Sequence, residues 1–454
     1  MKKGIKQAGI ATLAVFASAG VAQAADGPSV EELDQRIKVL ERQLELQAED
    51  AATKAKDATT ATASDKGFSL KKGDYELKIK ALVQADANFF TGDDATLSTA
   101  DTFRFRRIRP TFEGSLGKLV GFRLTPEFAG NGSGEATSII DAYIDLKFDP
   151  AYTLRAGKVK GPVGLERLQS GSALTFIERG YPTQLVPNRD LGIQLQGDVL
   201  GNTLNYTIGW YNGVTDAGQV TTRDGDNRKE FAGRLFAEPF KNQPGFLQGL
   251  GFGIGASTGE KRTTAGRPGA LQSIGTQTIF QYGTTVAPDG THTRIAPQAY
   301  FYRNNFGLLA EYTESKQELR NTPAAPGVVS NQEFTNTAWQ VVTSYVLTGE
   351  DSTFRGVTKP QNAFTIGGPG WGAFEVAARY GELDLDDDIF TTGFASAATN
   401  VSEAKGYGVG VNWYLNSNLK ISADYNQSSF EGGAAAGADR KDEKAIFSRI
   451  QLSF

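Results

Sequence analysis

The chain has 454 residues, no cysteine, a single histidine and a formal net charge of −4 at pH 7. The absence of cysteine excludes a disulfide framework and thiolate metal sites, and one histidine leaves little basis for a histidine metal cluster or a histidine-based triad. No run of 18 apolar residues occurs beyond the N-terminus, which argues against a bundle of membrane-spanning helices.

The N-terminus has the parts of a secretory signal peptide. Three lysines precede an apolar segment at residues 10–21, and residues 22–24 (AQA) form a small-x-small cleavage site. We predict a signal peptide over residues 1–24, and a retained membrane helix is the alternative. Loss of the three lysines changes the net charge from −4 to −7, so net charge gives no indication of an anionic partner.

Residues 28–51 have the heptad pattern of a coiled coil. Ser29 can cap the helix, with Glu32 three residues later as its capping-box partner. Residues 52–67 are rich in Ala and Thr and are predicted as a linker, so that residues 25–67 form a periplasmic helix and linker. A single amphipathic helix lying on the rest of the protein is the alternative. The positions of the apolar seam are Val30, Leu33, Ile37, Leu40, Leu44, Gln47 and Ala51.

From Tyr75 onward the sequence alternates between apolar and polar residues with a period of two. The pattern is clear in the last eleven residues, where Ile446, Ile450 and Leu452 share one face and Phe447 and Arg449 the other. About sixteen such segments occur, and many of their apolar faces are bounded by Tyr, Trp or Phe.

The connections between these segments alternate in length. Residues 415–418 form a tight turn, whereas residues 213–228, 257–292 and 381–403 are long and polar. Short periplasmic turns and long external loops are typical of outer-membrane barrels. We therefore predict an all-β fold, a 16-stranded antiparallel transmembrane β-barrel over residues 68–454, preceded by a short N-terminal α-helical coiled coil. A soluble β-sandwich is the alternative.

The predicted strand phases place cations and acids inside the barrel in similar numbers. This balance favours a paired, solvated wall and does not predict anion selectivity. The inward cations are Lys78, Lys80, Arg123, Lys147, Arg155, Arg234, Arg294, Arg379, Lys420 and Arg449. The inward acids are Glu76, Asp86, Glu127, Asp141, Asp145, Asp198, Glu230, Glu311, Glu375 and Asp424.

Four arginines within residues 103–110 (FRFRRIRP) stand out against that balance. Arg104 and Arg106 face the lumen if the phenylalanines face lipid. Arg107 and Arg109 then point outward unless a β-bulge shifts the phase of the strand. The apolar residues Ile108, Pro110 and Phe112 suggest such a bulge. An arginine fork donates two hydrogen bonds to an oxyanion and keeps its charge, so this run is a candidate anion site.

Residues 155–190 interrupt the strand pattern and carry six cations. We predict a loop that folds into the lumen and narrows it; an external loop with scattered charge is the alternative. The candidate anion-binding residues at this constriction are Arg104, Arg106, Arg107, Lys158, Lys160, Arg155 and Arg123. His292 is predicted in a loop, and no GxSxG or P-loop motif is present.

The sequence resembles the phosphate-selective porins of the O/P type over nearly all of the mature chain. The resemblance rests on short motifs in a fixed order: residues 105–110 (FRRIRP), 126–128 (PEF), 141–143 (DAY), 157–166 (GKVKGPVGLE), 178–182 (ERGYP), 211–213 (YNG), 347–350 (LTGE), 374–380 (FEVAARY), 412–416 (NWYLN) and the terminal Phe454. It implies a trimer of sixteen-stranded barrels that passes anions, phosphate above all, through a narrow basic constriction. It also implies that Arg106 and Arg107 contribute to a central anion site, and that Lys158 and Lys160 begin the constriction loop.

We therefore expect a passive channel for small anions, phosphate or a related anion, in the Gram-negative outer membrane, with its N-terminal segment in the periplasm. Outer-membrane lipid and two further copies of the chain are the expected partners. No catalytic residue, cofactor, metal or nucleic acid is predicted. The alternatives are a general, weakly selective porin, a barrel that tethers the envelope through residues 28–67, and an outer-membrane enzyme.

Overall fold

The computed structural model describes residues 29–91, 100–130, 137–220, 225–263, 266–322 and 329–454, with only the backbone for residues 51–57. The predicted signal peptide lies outside the described residues. The chain divides into two compact units, one ending at Ala58 and the other formed by Thr59–Phe454. None of the described helices is both long and apolar enough to cross a membrane.

Helix α1 (Val30–Asp57) forms the first unit. The predicted capping box is confirmed: the Glu32 backbone N–H donates to Ser29 Oγ (3.2 Å), and the Ser29 N–H donates to Glu32 Oε2 (3.3 Å). Acidic side chains in the first turn also complement the helix dipole. The leucines and the isoleucine of the predicted seam are exposed on this single chain.

The described residues of the second unit form twenty strands, sixteen of which close into an antiparallel barrel. Strand β20 pairs with β3 from Ala445 opposite Phe90 to Ser453 opposite Leu82, which closes the sheet. This confirms the predicted sixteen-stranded barrel. The barrel strands are β3 to β11 and β14 to β20. In chain order the strands are β1 (Thr60–Ser64), β2 (Gly67–Lys72), β3 (Tyr75–Phe90), β4 (Thr102–Leu116), β5 (Val120–Glu127), β6 (Ser138–Asp149), β7 (Tyr152–Val159), β8 (Asp190–Val199), β9 (Leu204–Tyr211), β10 (Glu230–Ala237), β11 (Leu250–Arg262), β12 (Leu271–Gln272), β13 (Thr278–Phe280), β14 (Val286–Arg303), β15 (Phe306–Asn321), β16 (Ser330–Val346), β17 (Ala373–Asp384), β18 (Val401–Tyr414), β19 (Leu419–Gly432) and β20 (Glu443–Ser453).

The hairpin β1–β2 corrects the predicted linker over residues 52–67. Helix α1 continues to Asp57, and β2 then pairs with the start of β3, where Phe68 lies opposite Ile79. The ring of Phe68 contacts that of the terminal Phe454 edge-on, at 5.7 Å between centroids. The hairpin therefore extends the barrel edge where β20 ends. Polar Ala/Thr composition does not exclude a strand when a neighbouring edge offers backbone hydrogen bonds.

The alternation of the strands places apolar side chains outside and polar ones inside. On β20, Ile446, Ile450 and Leu452 are exposed, whereas Arg449 is only 3% exposed. An outer surface of apolar side chains suits lipid, and a polar interior suits water.

Two of the predicted long loops are shorter than expected. Strand β11 extends to Arg262 and β14 begins at Val286, so much of the stretch 257–292 is paired. His292 consequently lies buried in β14, and its predicted loop position was wrong. The stretch 381–403 is likewise reduced, because β17 continues to Asp384 and β18 begins at Val401. Hydrogen bonding between neighbouring strands continues beyond the apolar band that the sequence pattern detects.

An apolar cluster occupies part of the barrel interior. Tyr181, Phe280, Phe334 and Phe394 pack together with aliphatic side chains from strands β14 to β18. The short helix α3 (Asp388–Thr391) and the 3₁₀ turn Tyr181–Gln184 contribute side chains to it, whereas α2 (Leu165–Leu168) contributes Leu165 to a separate apolar cluster. Other 3₁₀ turns are Phe246–Gly249 and Ala435–Gly437. We call this set of residues the internal apolar cluster.

Candidate functional site

Residues 160–189, which connect β7 to β8, cross the lumen to strands far along the chain. The backbone N–H of Ile177 donates to Asp424 Oδ2 (2.8 Å), and Arg449 Nη1 donates to the Ile177 carbonyl (2.9 Å). Asn412 Nδ2 donates to the carbonyl of Thr175 (2.8 Å). This segment, hereafter the constriction loop, lies inside the barrel as predicted.

The start of the constriction loop is held by a second group of strands. Glu311 Oε2 accepts a hydrogen bond from the backbone N–H of Leu165 (2.7 Å). Gln298 Nε2 donates to the carbonyl of Val163 (2.8 Å), and Gln340 Nε2 donates to Glu166 Oε2 (2.9 Å). The loop is therefore fixed against β14–β16 as well as β18–β20, and the open path runs beside β3 to β10.

Two adjoining cavities lie along that path. The larger, about 680 Å³, extends to Pro150 and Phe454 at the end of the barrel that carries the short turns. The smaller is about 210 Å³. Both are lined by Arg109, Ile140, Lys160, Gly171 and Arg189, so the two cavities meet at the constriction loop.

The smaller cavity is strongly basic. Among the described residues that line it are seven cations but one carboxylate, that of Glu127. A concentration of like charge in a confined, partly dry space raises the local potential for an anion. The cations are Arg106, Arg107, Arg109, Lys160, Arg167, Arg179 and Arg189.

A β-bulge turns the arginines of β4 into the lumen. Gln84 of β3 pairs with Arg107, whereas the next residue, Ala85, pairs with Phe105, so Arg106 is an extra residue without a partner in the ladder. Phe103 and Phe105 remain exposed on the outer face. The predicted phase shift is thus confirmed, and Arg106, Arg107 and Arg109 all reach the smaller cavity.

The arginines of β4 differ in how far their charges are compensated. Arg106 makes a bidentate pair with Glu178, with Nε–Oε1 2.5 Å and Nη2–Oε2 3.0 Å. Arg109 pairs with Glu127. Arg107 donates from Nη1 to the neutral amide of Gln84 (2.6 Å), and its buried Nε has no hydrogen-bond partner.

Three cations of the constriction loop are bound only by backbone carbonyl groups. Lys160 Nζ donates to the carbonyls of Leu168 (3.1 Å) and Gln169 (2.8 Å), and Arg179 Nη2 also donates to the latter (2.8 Å). Arg167 donates to the carbonyl of Thr183. Within the described part of the chain, no carboxylate lies within ion-pair distance of these three cations. Carbonyl dipoles orient a cation without cancelling its charge, so this side of the cavity stays positive.

The remaining predicted site residues are distributed along the path. Arg155 makes a bidentate pair with Asp145 (2.7 and 3.0 Å) and stacks over Tyr143. Arg123 lies 3.3 Å from Glu113, and both arginines line the larger cavity. Lys158 is in register with Ala142 and Leu191 on the neighbouring strands and lines neither cavity. Arg104 lies beside Glu178 (3.5 Å).

The candidate list omitted four cations that line the smaller cavity. The loop cations among them were visible in the sequence as charges within the segment that interrupts the strands. Their inward direction could not be assigned without knowing the path of the loop. The position of Arg109 depended on the bulge. These residues are Arg109, Arg167, Arg179 and Arg189.

Comparison with known proteins identifies the family. Residues 77–454 match the family model described as phosphate-selective porin O and P. The chain belongs to this porin family. It is also similar to porin O of Pseudomonas aeruginosa, with 24% identity over 433 residues that cover 89% of this chain and 93% of the relative. We therefore describe the protein as an outer-membrane porin of Gram-negative bacteria, a channel.

Solved structures support the same fold at low sequence identity. The outer-membrane channel DcaP of Acinetobacter baumannii has a TM-score of 0.54 at 14% identity, covering 85% of this chain and 99% of that one. OmpF of Salmonella typhi, solved with daunomycin, has a TM-score of 0.52 at 14% identity, with 87% and 100% covered. These similarities establish the closed porin barrel.

Anion selectivity of the porin is expected to fall as the pH rises through the pKa of Lys160. Burial, and then the charges of Arg179 and Arg189, hold the pKa of Lys160 well below its ordinary value of 10.5. A lysine is charged only below its pKa. Anion selectivity should therefore fall at a lower pH than the pH at which a lysine in water loses its proton. Reversal potentials measured across that range test this. Lys160→Arg, which keeps its charge, should remove the pH dependence, and an unchanged pH profile in that variant would contradict the assignment.

Proposed function

We propose that the porin conducts small anions by passive diffusion and that phosphate is its preferred solute. The observation that carries the proposal is the set of loop cations, Lys160, Arg167 and Arg179, that face the smaller cavity without a carboxylate partner. The family description, phosphate-selective porin O and P, supports the same solute.

The arrangement suits an oxyanion that is partly stripped of water. Arginine forks and a lysine ammonium replace hydrogen bonds that the anion loses on entering the smaller cavity. The larger cavity continues the path with further cations spaced along it, including Lys80, Arg123, Arg155 and Arg234. Several sites of moderate affinity let an anion move from one to the next, whereas a single tight site would hold it.

Conductance of the purified porin in planar bilayers tests the proposal. In a potassium chloride gradient the reversal potential should show anion preference, and millimolar phosphate should reduce the chloride current. Cation preference would refute the anion channel. Anion preference without block by phosphate would refute the phosphate assignment alone and favour the weakly selective porin. A barrel with no conductance would favour the envelope tether.

We also propose that the porin assembles as a trimer. Strands β5, β7, β9 and β10 have eight residues each, fewer than the 9–11 that a tilted strand needs to cross the hydrocarbon core. Strands β14 to β16 have 16–18 residues. The part of the barrel wall that contains these short strands is therefore better suited to contact with another copy than with lipid.

Helix α1 is proposed to join the copies as a coiled coil, because its apolar seam is exposed on one chain. Replacing Leu33 and Leu40 with aspartate should lower the midpoint of thermal dissociation of the detergent-solubilised trimer, measured by light scattering after chromatography. Val39→Asp, off the seam on the same helix, is the control. Equal dissociation of both variants and the parent would contradict the coiled coil, and a monomeric parent would contradict the trimer.

A further inference from the structure

Glu178 places a carboxylate among three arginines beside the smaller cavity, one of which, Arg106, lines that cavity. Its oxygens bind Arg106 through two hydrogen bonds, and Oε1 also lies 3.5 Å from Arg104 Nη2 and 3.5 Å from Arg449 Nη2. Three guanidinium groups converging on one pair of oxygens is the arrangement expected around a bound oxyanion. Here the oxyanion is part of the constriction loop.

The carboxylate is buried and ionised. Burial alone would raise the pKa of Glu178, but the charge of Arg106 and its hydrogen bonds hold the pKa well below the ordinary value. Arg104 retains Nε and Nη2 atoms that are buried without a hydrogen-bond partner, so the group still has unused donors. The neighbouring cation Arg449 is compensated separately by Asp86, through two bonds of 2.7 Å.

The other carboxylate of the constriction loop is directed elsewhere. Glu166 accepts hydrogen bonds from the Gly180 backbone N–H (2.9 Å) and from Gln340 (2.9 Å), and it faces Glu311 on β15. Between residues 160 and 189 the sequence contains these two acids alone. Glu178 is therefore the one loop carboxylate placed on the arginines of β4.

We propose that Glu178 is a resident counter-anion that sets the affinity of the channel for its solute. It offsets the charge of Arg106 and Arg104, and so leaves the uncompensated positive charge of the smaller cavity on Arg107 and on loop cations such as Lys160. A permeating anion then binds at this cavity with moderate affinity and moves on to the next site. The inference rests on the proposed anion function. It adds a specificity-determining residue whose charge is negative, like that of the solute.

Removal of this charge should make the channel bind anions more tightly. In Glu178→Gln the amide still accepts one hydrogen bond from Arg106, while Arg104 and Arg106 become uncompensated. We expect the phosphate concentration that halves the chloride current to fall about tenfold, the effect of one unit charge at ~10 Å and an effective dielectric constant of ~20. Tighter binding is an outcome that damage to the loop would not produce.

Matched variants separate charge from structure. Glu178→Asp, which keeps the charge, should stay within about twofold of the parent in half-blocking concentration. Arg106→Gln combined with Glu178→Gln removes a compensated pair and should return the value towards that of the parent. If Glu178→Gln alone does not fold, the half-blocking concentration of the double variant still tests whether the pair is electrically compensated.

The outcomes are distinct from those of the proposed function. A half-blocking concentration that is unchanged or higher in a folded Glu178→Gln channel, with anion preference intact in the parent, would overturn the role of Glu178. An equal decrease in Glu178→Asp would also overturn it, because the charge of the side chain would then not be the cause. A parent channel that shows no anion preference refutes the proposed function, whatever the variants do.

Discussion

Arg449→Ala is expected to destabilise the barrel by roughly 3–5 kcal/mol, because it leaves Asp86 as an uncompensated buried charge. Arg449 is 3% exposed, binds both oxygens of Asp86 at 2.7 Å, and donates to the carbonyl of Ile177. It links the closing strand, the first barrel strand and the constriction loop. Urea unfolding of the protein in lipid vesicles should give the free-energy change, and single-channel records should become noisier as the loop loosens.

Lys405→Ala is the control for that substitution. Lys405 pairs with Glu403 on its own strand and with Glu431 on the neighbouring β19, but its side chain is 41% exposed. Water screens such a pair, so its removal should change the unfolding free energy far less than Arg449→Ala does. Similar losses in the two variants would mean that burial of the Arg449–Asp86 pair has no special importance for the barrel.

Lys160→Gln is expected to produce the largest loss of anion selectivity among single substitutions of the path. Lys160 lines both cavities at the point where they meet, and its ammonium is bound by carbonyl groups without a carboxylate. Removing one unit charge at ~10 Å from the ion, with an effective dielectric constant of ~20, should lower the chloride-to-potassium permeability ratio by about tenfold. Glutamine keeps a donor for the carbonyls of Leu168 and Gln169, so the loop should retain its path.

The double variant Arg155→Gln with Asp145→Asn provides the comparison, since Arg155 also lines the larger cavity but is paired with Asp145. Removing both partners of a compensated pair leaves the net charge of the path unchanged, so the permeability ratio should change about threefold or less. If the two variants reduce selectivity equally, the distinction between compensated and uncompensated cations is not what determines selectivity.

The barrel was predictable because its physics is local. Each strand has to present an apolar face to lipid. Apolar and polar residues therefore alternate with a period of two in each barrel segment, including the last one at Ile446 to Leu452. The bulge at Arg106 was also visible, since the apolar residues change phase after it. The hairpin β1–β2 was missed because its polar residues carry no such pattern, and it forms through the edge offered by β3.

The constriction was only partly predictable. Which segment folds inward followed from its interrupted pattern, but the pairing of cations depends on contacts between residues far apart in sequence. Glu178 lies 72 positions from its partner Arg106. Asp424 accepts a hydrogen bond from the backbone N–H of Ile177, which lies 247 positions away. Sequence reasoning gave a balanced list of inward charges. The three-dimensional arrangement separates those that are compensated from those that are not.

The internal apolar cluster has a consequence for the range of the electric field in the pore. Tyr181 belongs both to the constriction loop and to this cluster, so one flank of the ion path is backed by closely packed side chains in place of water. Such material polarises weakly and acts as an insulator, and field lines from the cations are directed into the narrow aqueous path. Packing that never touches the solute therefore increases the distance over which Lys160 and Arg107 attract it.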